Sequence, residues 1–354
     1  MTPASPRLLL VGFGPVARAF ATLLAERRQA LARRGVAPVI TGIASSHGTW
    51  LATAGALERD PDAAARVAAQ VEDGARLEDI DGTRPGVDGM AAIDLRVADV
   101  LLEATSSDLD TGEPAADHIR SALEHGMDVV AASKGGLVAH GPELRTAAAR
   151  AGRRIRYGAA TGAALPALDM LEFGLAGAEV ERIEGILNGT SNAILTAMRL
   201  GGTDFDEALR DAQARGIAEA DPRRDVDGWD TAAKLVLLAG AAWGDAPALR
   251  DVEREGISGI APRDIAAATA AGGMLRLVGA AWREAGTVRI RVAPQALPAS
   301  HPLSGVDGAE KAVLYETSTL GRITVMGGAS SPRGAAAGML RDVLHLRLAR
   351  GADA

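Results

Sequence analysis

The segment richest in reactive side chains is residues 218–235, which reads AEADPRRDVDGWDTAAKL. Asp230 and Lys234 stand four residues apart at the start of a predicted helix, so they share one helix face. The rest of that helix is apolar, and Lys234 falls within the apolar run. A half-buried lysine beside carboxylates is a candidate proton donor and acceptor, whereas an exposed pair would be only a solvated ion pair. The neighbouring carboxylates of Glu219, Asp221, Asp225 and Asp227 could bind a substrate ammonium group, which favours an amino-acid-like substrate.

Two rare residue types draw attention to the same parts of the chain. Of the 38 basic residues only Lys134, Lys234 and Lys311 are lysine, and the only asparagines are Asn188 and Asn192. Arginine cannot lose its proton in a protein, so a retained lysine suits a site that moves one. Chance retention is the alternative for any single lysine.

The first 45 residues predict the opening unit of a dinucleotide-binding sheet. An apolar strand at 7–11 meets GFGPVA at 12–17, and then come a helix to about Arg34 and a second strand at 38–45. Gly12 permits a tight turn, and Gly14 lets the backbone approach a pyrophosphate at the helix N-terminus. A lone glycine motif also fits an ordinary turn, but the flanking strand and helix favour the cofactor interpretation.

Polar residues follow the later strands of this sheet, where ligands of open α/β sheets collect. The predicted cofactor contacts lie in or beside these turns, and they are Gly12, Phe13, Gly14, Val16, Ala17, Ser45, Ser46, Thr105, Ser106, Ser133 and Lys134.

The remaining elements predict a two-domain α/β protein. Strands are expected at 100–104, 128–132, 154–157, 180–187, 288–292, 312–315 and 322–325. Helices are expected at 115–125, 142–151, 191–199, 205–215, 230–243 and 333–350, and residues 51–98 are expected to form short helices and loops. From Gly158 the sequence continues as a loop of small residues, GAATGAALPALDML, that leads into a helix. This change predicts a boundary between a dinucleotide-binding domain of residues 1–157 and a second domain of residues 158–329.

Composition excludes several classes of protein. The absence of cysteine rules out disulfide scaffolds, iron–sulfur clusters, cysteine zinc sites and every thiol nucleophile, including that of acylating semialdehyde dehydrogenases. A net charge of −7 and an aromatic content of 3% argue against a nucleic-acid partner. The chain shows neither a signal peptide nor an apolar run that could span a bilayer, so a cytoplasmic location is expected. The scattered histidines predict no metal site, and His118 and His125 are expected at the surface.

Several segments together resemble the homoserine dehydrogenase family over nearly the whole chain. They are GFGPVA, EATSSDLDTGEPA at 103–115, SKGG at 133–136, GILNGTSNAIL at 185–195 and the segment 218–235, with EGISGI and HPLSGV further on. The resemblance implies a Rossmann-type domain, an α+β substrate-binding and dimerisation domain, and a final segment, 330–354, that returns to the first domain. It also implies reversible hydride transfer between a nicotinamide and L-aspartate 4-semialdehyde, giving L-homoserine, in the biosynthesis of threonine, methionine and isoleucine.

The same resemblance assigns roles to individual residues. Lys234 would protonate the reacting oxygen, Lys134 would polarise it, and Asp230 would position Lys234. The substrate-binding residues would be Glu219, Asp225, Asn188, Gly189 and Thr190.

Departures from the family pattern surround these residues. Ser133 and Lys311 both stand where the family commonly has asparagine, and Gly158 replaces a glutamate near which some members hold sodium. These changes leave open a related reductase of another amino-acid aldehyde or ketone, a catalytically silent cofactor sensor, and the binding of a monovalent cation. Within these 354 residues there is no room for the regulatory amino-acid-binding domain of longer members, so threonine inhibition through one is not expected.

The expected cofactor is NADP or NAD. The second strand ends in Ser45-Ser46-His47, which lacks the carboxylate that usually binds the ribose hydroxyls of NAD. NADP is therefore modestly favoured.

Overall fold

The computed structural model describes residues 5–52, 55, 57, 60–328 and 330–348. The chain folds into two compact units, residues 1–164 with 331–354, and residues 165–330. The first division falls seven residues after the expected boundary, because helix Gly158–Gly162 packs against the final helix. Residues 1–4 and 349–354, which the sequence assigned to the first domain, lie outside the described residues.

The elements are numbered in chain order. The strands are β1 Arg7–Val11, β2 Val39–Ser45, β3 Gly48–Leu51, β4 Thr83–Pro85, β5 Val100–Glu103, β6 Asp128–Ala131, β7 Ile155–Arg156, β8 Val180–Ile186, β9 Glu253–Arg254, β10 Gly273–Glu284, β11 Thr287–Pro298, β12 Lys311–Thr317 and β13 Gly321–Gly327. The α-helices are α1 Pro15–Arg33, α2 Ala63–Glu72, α3 Gly89–Asp94, α4 Ala115–Glu124, α5 Gly135–Ala151, α6 Gly158–Gly162, α7 Ala167–Asp169, α8 Gly189–Gly201, α9 Phe205–Ala214, α10 Arg223–Val226, α11 Trp229–Trp243, α12 Pro262–Ala270 and α13 Pro332–Leu348. Single helical turns of other types lie at Leu77–Asp79, Met170–Gly174 and Leu249–Asp251.

The first unit is built on a sheet of order β4-β3-β2-β1-β5-β6-β7. Strands β2, β1, β5, β6 and β7 run parallel, so their carboxyl ends meet at one edge. The chain moves outward from β1 in both directions, which places a topological switch point between β1 and β5. Phe20 and Leu24 of α1 and Met339 and Val343 of α13 pack in the same core beside β1. The predicted Rossmann-type fold is confirmed.

The second unit is built on a sheet of order β13-β12-β8-β10-β11-β9. Helix α11 covers one face closely, since a Cβ on Gly279 would lie 2.5 Å from a methyl carbon of Leu235. The opposite face carries an apolar cluster that includes Leu314 of β12, and residues Leu303 and Val306 of the loop before β12 cover it.

Several sequence-based element boundaries were wrong. Strand β10 was not predicted, because GMLRLVGAAWRE is largely buried on both faces of the sheet and lacks the alternation that marks a half-buried strand. Strand β11 extends to Pro298 rather than Val292. Helix α5 begins seven residues before the expected start at Pro142, with a kink at His140. Strand β4 lies in a region where loops and short helices were expected, and strand β3, which was not predicted, ends where that region begins. Among the described residues, no helix is long and apolar enough to cross a membrane.

Candidate active site

The turn after β1 requires glycine for a steric reason. Gly12 has a φ of +89°, and a Cβ there would lie 2.6 Å from the backbone of Ala104 at the end of β5. Two residues later, a Cβ on Gly14 would meet no atom within 4 Å, so the backbone at the N-cap of α1 faces open space. A dinucleotide pyrophosphate fits this turn, because a helix N-terminus presents N–H groups and a positive dipole.

The other residues predicted to contact the cofactor near this turn have different surroundings. Ala17 is fully buried in α1, so it allows close packing of helix and sheet. The carbonyl of Phe13 accepts a 3.0 Å hydrogen bond from Arg18, and Val16 packs against the core. At the end of β2, Ser45 bonds the carbonyl of Gly48. The exposed Ser46 lies with its hydroxyl oxygen 3.1 Å from Nδ1 of His47.

Glu103, the last residue of β5, forms a buried polar cluster that sequence reasoning missed. Its side chain has 0% exposure, and Oε1 accepts hydrogen bonds from the Thr105 backbone N–H at 3.1 Å and from the Thr105 hydroxyl. The Ser133 hydroxyl donates to Oε2, which joins the ends of β5 and β6. His118 was wrongly expected at the surface: it faces the core side of α4, with Nδ1 3.9 Å from Oε1. The sequence signal was a single acid ending an apolar strand.

Lys134 stands at the N-cap of α5, directly after β6. Its backbone N–H donates to the Ser107 hydroxyl at 2.9 Å, and its side chain is half-buried. The glycines that follow are needed for close packing, since a Cβ on Gly135 would overlap the Asp108 carbonyl and one on Gly136 would lie 2.8 Å from a backbone nitrogen. Ser106 is exposed at the same edge of the sheet.

In the second unit, Asn188 organises a group of charged side chains at the end of β8. As the N-cap of α8, its Oδ1 accepts from both the backbone N–H and the hydroxyl of Ser191, at 2.9 and 2.8 Å. Its Nδ2 donates to Asp225 at 2.7 Å and to Asp230 at 2.9 Å. The amide therefore bridges two carboxylates that would otherwise repel each other.

Lys234 completes this group from the buried face of α11, with an exposure of 8%. Its Nζ donates to Asp230 Oδ2 at 2.5 Å and to the backbone carbonyl of Leu187 at 2.7 Å. An ammonium group has three donors, so these two contacts leave one for another acceptor. The predicted Asp230–Lys234 pair is present. The sequence did not predict that the Leu187 carbonyl would orient the Lys234 ammonium.

The electrostatics of this group favour a cationic ligand. Burial and the charge of Asp230 raise the pKa of the Asp225 carboxyl, against the opposing effects of the Asn188 hydrogen bond and the Lys234 charge. With two carboxylates and one ammonium, the group carries a net charge of −1 when all are ionised. A bound cation beside Asp225 would relieve the repulsion that raises this pKa.

The remaining predicted substrate residues lie around this group. Gly189 begins α8, where a Cβ would lie 2.7 Å from the Ala309 carbonyl, and the Thr190 hydroxyl donates to Ile217 at 3.2 Å. Glu219 is exposed, and among the described contacts its carboxylate makes no hydrogen bond to this group.

Gly158, where the family pattern has glutamate, faces a carboxylate from another element. A Cβ on Gly158 would lie 3.0 Å from Oδ1 of Asp342, which is fully buried on α13. Asp342 also pairs with Arg156 and accepts the Ala159 backbone N–H, each at 3.3 Å.

A Rossmann-type unit with an open glycine turn, followed by a unit that holds a buried lysine against a carboxylate, suits a nicotinamide-dependent oxidoreductase. Comparisons with known proteins specify which kind. A family model described as "Homoserine dehydrogenase, NAD binding domain" matches residues 12–158, and one described as "Homoserine dehydrogenase" matches residues 166–344.

Individual relatives agree with these matches. The chain is 36% identical over 350 residues to an NAD(+)-dependent homoserine dehydrogenase of Pseudomonas canavaninivorans, covering 96% of each chain. It resembles the crystal structure of a homoserine dehydrogenase from Thiobacillus denitrificans with a TM-score of 0.85 and 28% identity, covering 100% of this chain and 76% of that one. A hyperthermophilic archaeal homoserine dehydrogenase in complex with NADPH gives a TM-score of 0.82 at 25% identity, with 98% of each chain covered.

The chain belongs to the homoserine dehydrogenase family, as its motifs predicted. It is an NAD(P)-dependent oxidoreductase that acts on a CH–OH group.

Proposed function

We propose that the protein interconverts L-homoserine and L-aspartate 4-semialdehyde, with Lys234 as the proton-transfer residue, in the biosynthesis of threonine, methionine and isoleucine. The observation that carries the assignment to Lys234 is its ammonium, which the Asp230 carboxylate and the Leu187 carbonyl hold in one orientation. A bound nicotinamide supplies the hydride acceptor or donor. The chain itself supplies proton transfer, substrate orientation and charge.

Lys234 transfers the proton, and Asp230 holds Lys234 in position. During reduction, the third N–H of the Lys234 ammonium donates its proton to the oxygen that develops from the aldehyde. During oxidation, the neutral amine accepts the hydroxyl proton. Asp230 keeps Nζ in place in both directions, because its carboxylate accepts from Lys234 and from Asn188 at once.

Asp225 binds the α-ammonium group of the substrate. Its carboxylate is half-buried and next to Asp230, so an incoming cation gains more there than at an exposed acid. Gly189 and Thr190 form the adjoining wall at the N-terminus of α8, and Glu219 is proposed as a further carboxylate that approaches when substrate is bound.

As the family resemblance implies, Lys134 polarises the reacting oxygen. The cofactor binds to the turn at 12–17 and to the polar residues Ser45, Ser46, Thr105, Ser106 and Ser133. Because the end of β2 offers hydroxyls and an imidazole but no carboxylate, we propose a modest preference for NADP over NAD.

We also propose a homodimer formed through the second unit, whose outer hairpin exposes Leu320 and Met326.

The test is the absorbance change at 340 nm with purified protein, L-homoserine and either NAD or NADP at alkaline pH. Lys234→Met removes the amine at nearly constant length and should abolish turnover while cofactor binding persists. Lys234→Arg keeps the charge but cannot lose a proton, so it should be almost as inactive. Turnover that survives in Lys234→Met would refute the proposed role.

Wild-type protein that binds cofactor but leaves L-homoserine unchanged would refute the substrate assignment. Other amino-acid alcohols would then test the related reductase. Cofactor binding without turnover of any of them would indicate a sensor.

A further inference from the structure

Glu103 is fully buried at the end of β5, and it has no place in the proposed reaction. Its two carboxylate oxygens accept three hydrogen bonds, from the backbone N–H and the hydroxyl of Thr105 and from the hydroxyl of Ser133. The imidazole of His118 lies 3.9 Å from Oε1, beyond hydrogen-bond distance. The three donors offset the cost of burying a charged group at this position.

The carboxylate determines which way the two hydroxyl protons point. An ionised carboxylate accepts hydrogen bonds and donates none, so Thr105 and Ser133 each direct their single proton at Glu103. Each hydroxyl oxygen keeps its lone pairs, and among the described residues neither oxygen accepts a hydrogen bond. Glu103 therefore makes both hydroxyls acceptors toward a ligand at this edge of the sheet.

These hydroxyls lie where the nicotinamide half of a dinucleotide is expected. A dinucleotide crosses the switch point between β1 and β5, with its pyrophosphate at the glycine turn after β1 and its adenosine ribose at the end of β2. The other half then lies toward the ends of β5 and β6, which carry Thr105 and Ser133. A ligand can approach this edge, because Thr105 and Lys134 are half-buried and Ser106 is exposed.

We propose that Glu103 is a positioning residue for the cofactor, which holds the hydroxyls of Thr105 and Ser133 as acceptors for the NH₂ group of the nicotinamide carboxamide. The inference rests on the cofactor assignment of the proposed function and is independent of the substrate. A carboxamide NH₂ group only donates, and it has two protons to donate, so it suits a pair of hydroxyls fixed as acceptors. A ribose hydroxyl both donates and accepts, so it does not require this arrangement.

Glu103→Gln reverses one of the two hydroxyls while keeping the shape of the side chain. The backbone N–H of Thr105 is a fixed donor, so the amide oxygen of the glutamine faces Thr105 and its NH₂ group faces Ser133. Ser133 then accepts a hydrogen bond from the glutamine and turns its own proton outward. An outward proton opposes the NH₂ group of the carboxamide, because two donors cannot bond each other.

The experiment measures the dissociation constants of two cofactors by calorimetry, without substrate. They are NADP and 3-acetylpyridine adenine dinucleotide phosphate, in which a methyl ketone replaces the carboxamide; the corresponding NAD pair is used if NAD binds more tightly. Wild-type protein should bind the analogue about 3- to 10-fold more weakly than NADP, the loss expected for a neutral hydrogen bond. In Glu103→Gln, the dissociation constant for NADP should rise about 10-fold and that for the analogue less than about threefold, so the preference for the carboxamide disappears.

Two further variants separate this role from a purely structural one. In a Ser133→Ala background, Glu103→Gln should change either dissociation constant less than about threefold, since no hydroxyl remains to be reversed. Glu143→Gln removes an exposed carboxylate from α5 of the same unit and should leave both dissociation constants at their wild-type values.

Equal losses for both cofactors in Glu103→Gln, or no loss for either, would overturn the role of Glu103 and leave the proposed function intact. A full effect of Glu103→Gln in the Ser133→Ala background would overturn it as well. Wild-type protein that binds no nicotinamide cofactor would overturn both proposals. Melting curves establish that each variant is folded. If Glu103→Gln does not fold, Ser133→Ala alone replaces it, and that variant should weaken NADP about 3- to 10-fold and the analogue less than about threefold.

Discussion

Asn188→Ala should damage both the stability and the activity of the protein. The side chain does two things at once: its oxygen caps α8, and its nitrogen bridges Asp225 and Asp230. Asp204→Ala is a matched control in the same unit, because Asp204 caps α9 through the Glu207 N–H at 2.8 Å and, among the described residues, bridges no pair of carboxylates.

The two losses differ in size. Either variant gives up an N-cap, which costs about 1 kcal/mol in the free energy of unfolding. Asn188→Ala also gives up two hydrogen bonds to carboxylates, worth about 1.5 kcal/mol each at the lower end for charged partners. We therefore expect a loss of about 4 kcal/mol for Asn188→Ala, against about 1 kcal/mol for Asp204→Ala.

Urea unfolding of the full chain measures both variants against wild type, and kcat/KM for L-homoserine is measured in parallel. Only Asn188→Ala should lose activity, because only that change frees Asp230 from one of the contacts that fix it beneath Lys234. Equal destabilisation of the two variants, or full activity in Asn188→Ala, would refute the bridging role.

Three further outcomes are expected. Asp225→Asn should be more stable than wild type at pH 7 and bind L-homoserine less tightly. The folded-state pKa of Asp225 lies above its unfolded value, so the protein is more stable when this carboxyl is protonated, and that stability is lost as pH rises through the folded pKa. The melting temperature of the variant should therefore exceed that of wild type by an amount that grows upward from about pH 4, and a constant difference would contradict this. Ser46→Asp should shift the ratio of kcat/KM values strongly toward NAD, and an unchanged ratio would contradict the ribose assignment. Gly12→Ala should lose cofactor affinity in a fluorescence titration because its Cβ would meet Ala104, and wild-type affinity would contradict that steric reasoning.

The parallel strands of the first unit could be predicted because their signals are local. A short apolar run, two glycines and a helix each follow from neighbouring residues, and parallel strands must bring their carboxyl ends together. The unpredicted β10 had no local signal, since a strand buried on both faces does not alternate. Gly279 within it is explained only by the helix that packs above it.

The charged residues of the site could be named from the sequence, but the hydrogen bonds that hold them together could not. The spacing of Asp230 and Lys234 predicted one helix face, and that pair is present. That Asn188 would bridge both carboxylates depends on β8 ending beside α11, a tertiary fact. Glu103 was missed because a lone acid at the end of an apolar strand has no spacing partner; its hydrogen-bond donors come from a turn and from another strand.

The packing of the second sheet determines where the reactive nitrogen lies. The Lys234 ammonium reaches the Leu187 carbonyl because α11 packs closely on the sheet, over Gly279 of β10. A Cβ at 279 would lie 2.5 Å from the Leu235 side chain and 2.7 Å from that of Thr231, so a larger residue there would disturb the packing that brings Lys234 to Leu187. The orientation of the proton donor is therefore a property of the fold, and a residue that carries no functional group helps to set it.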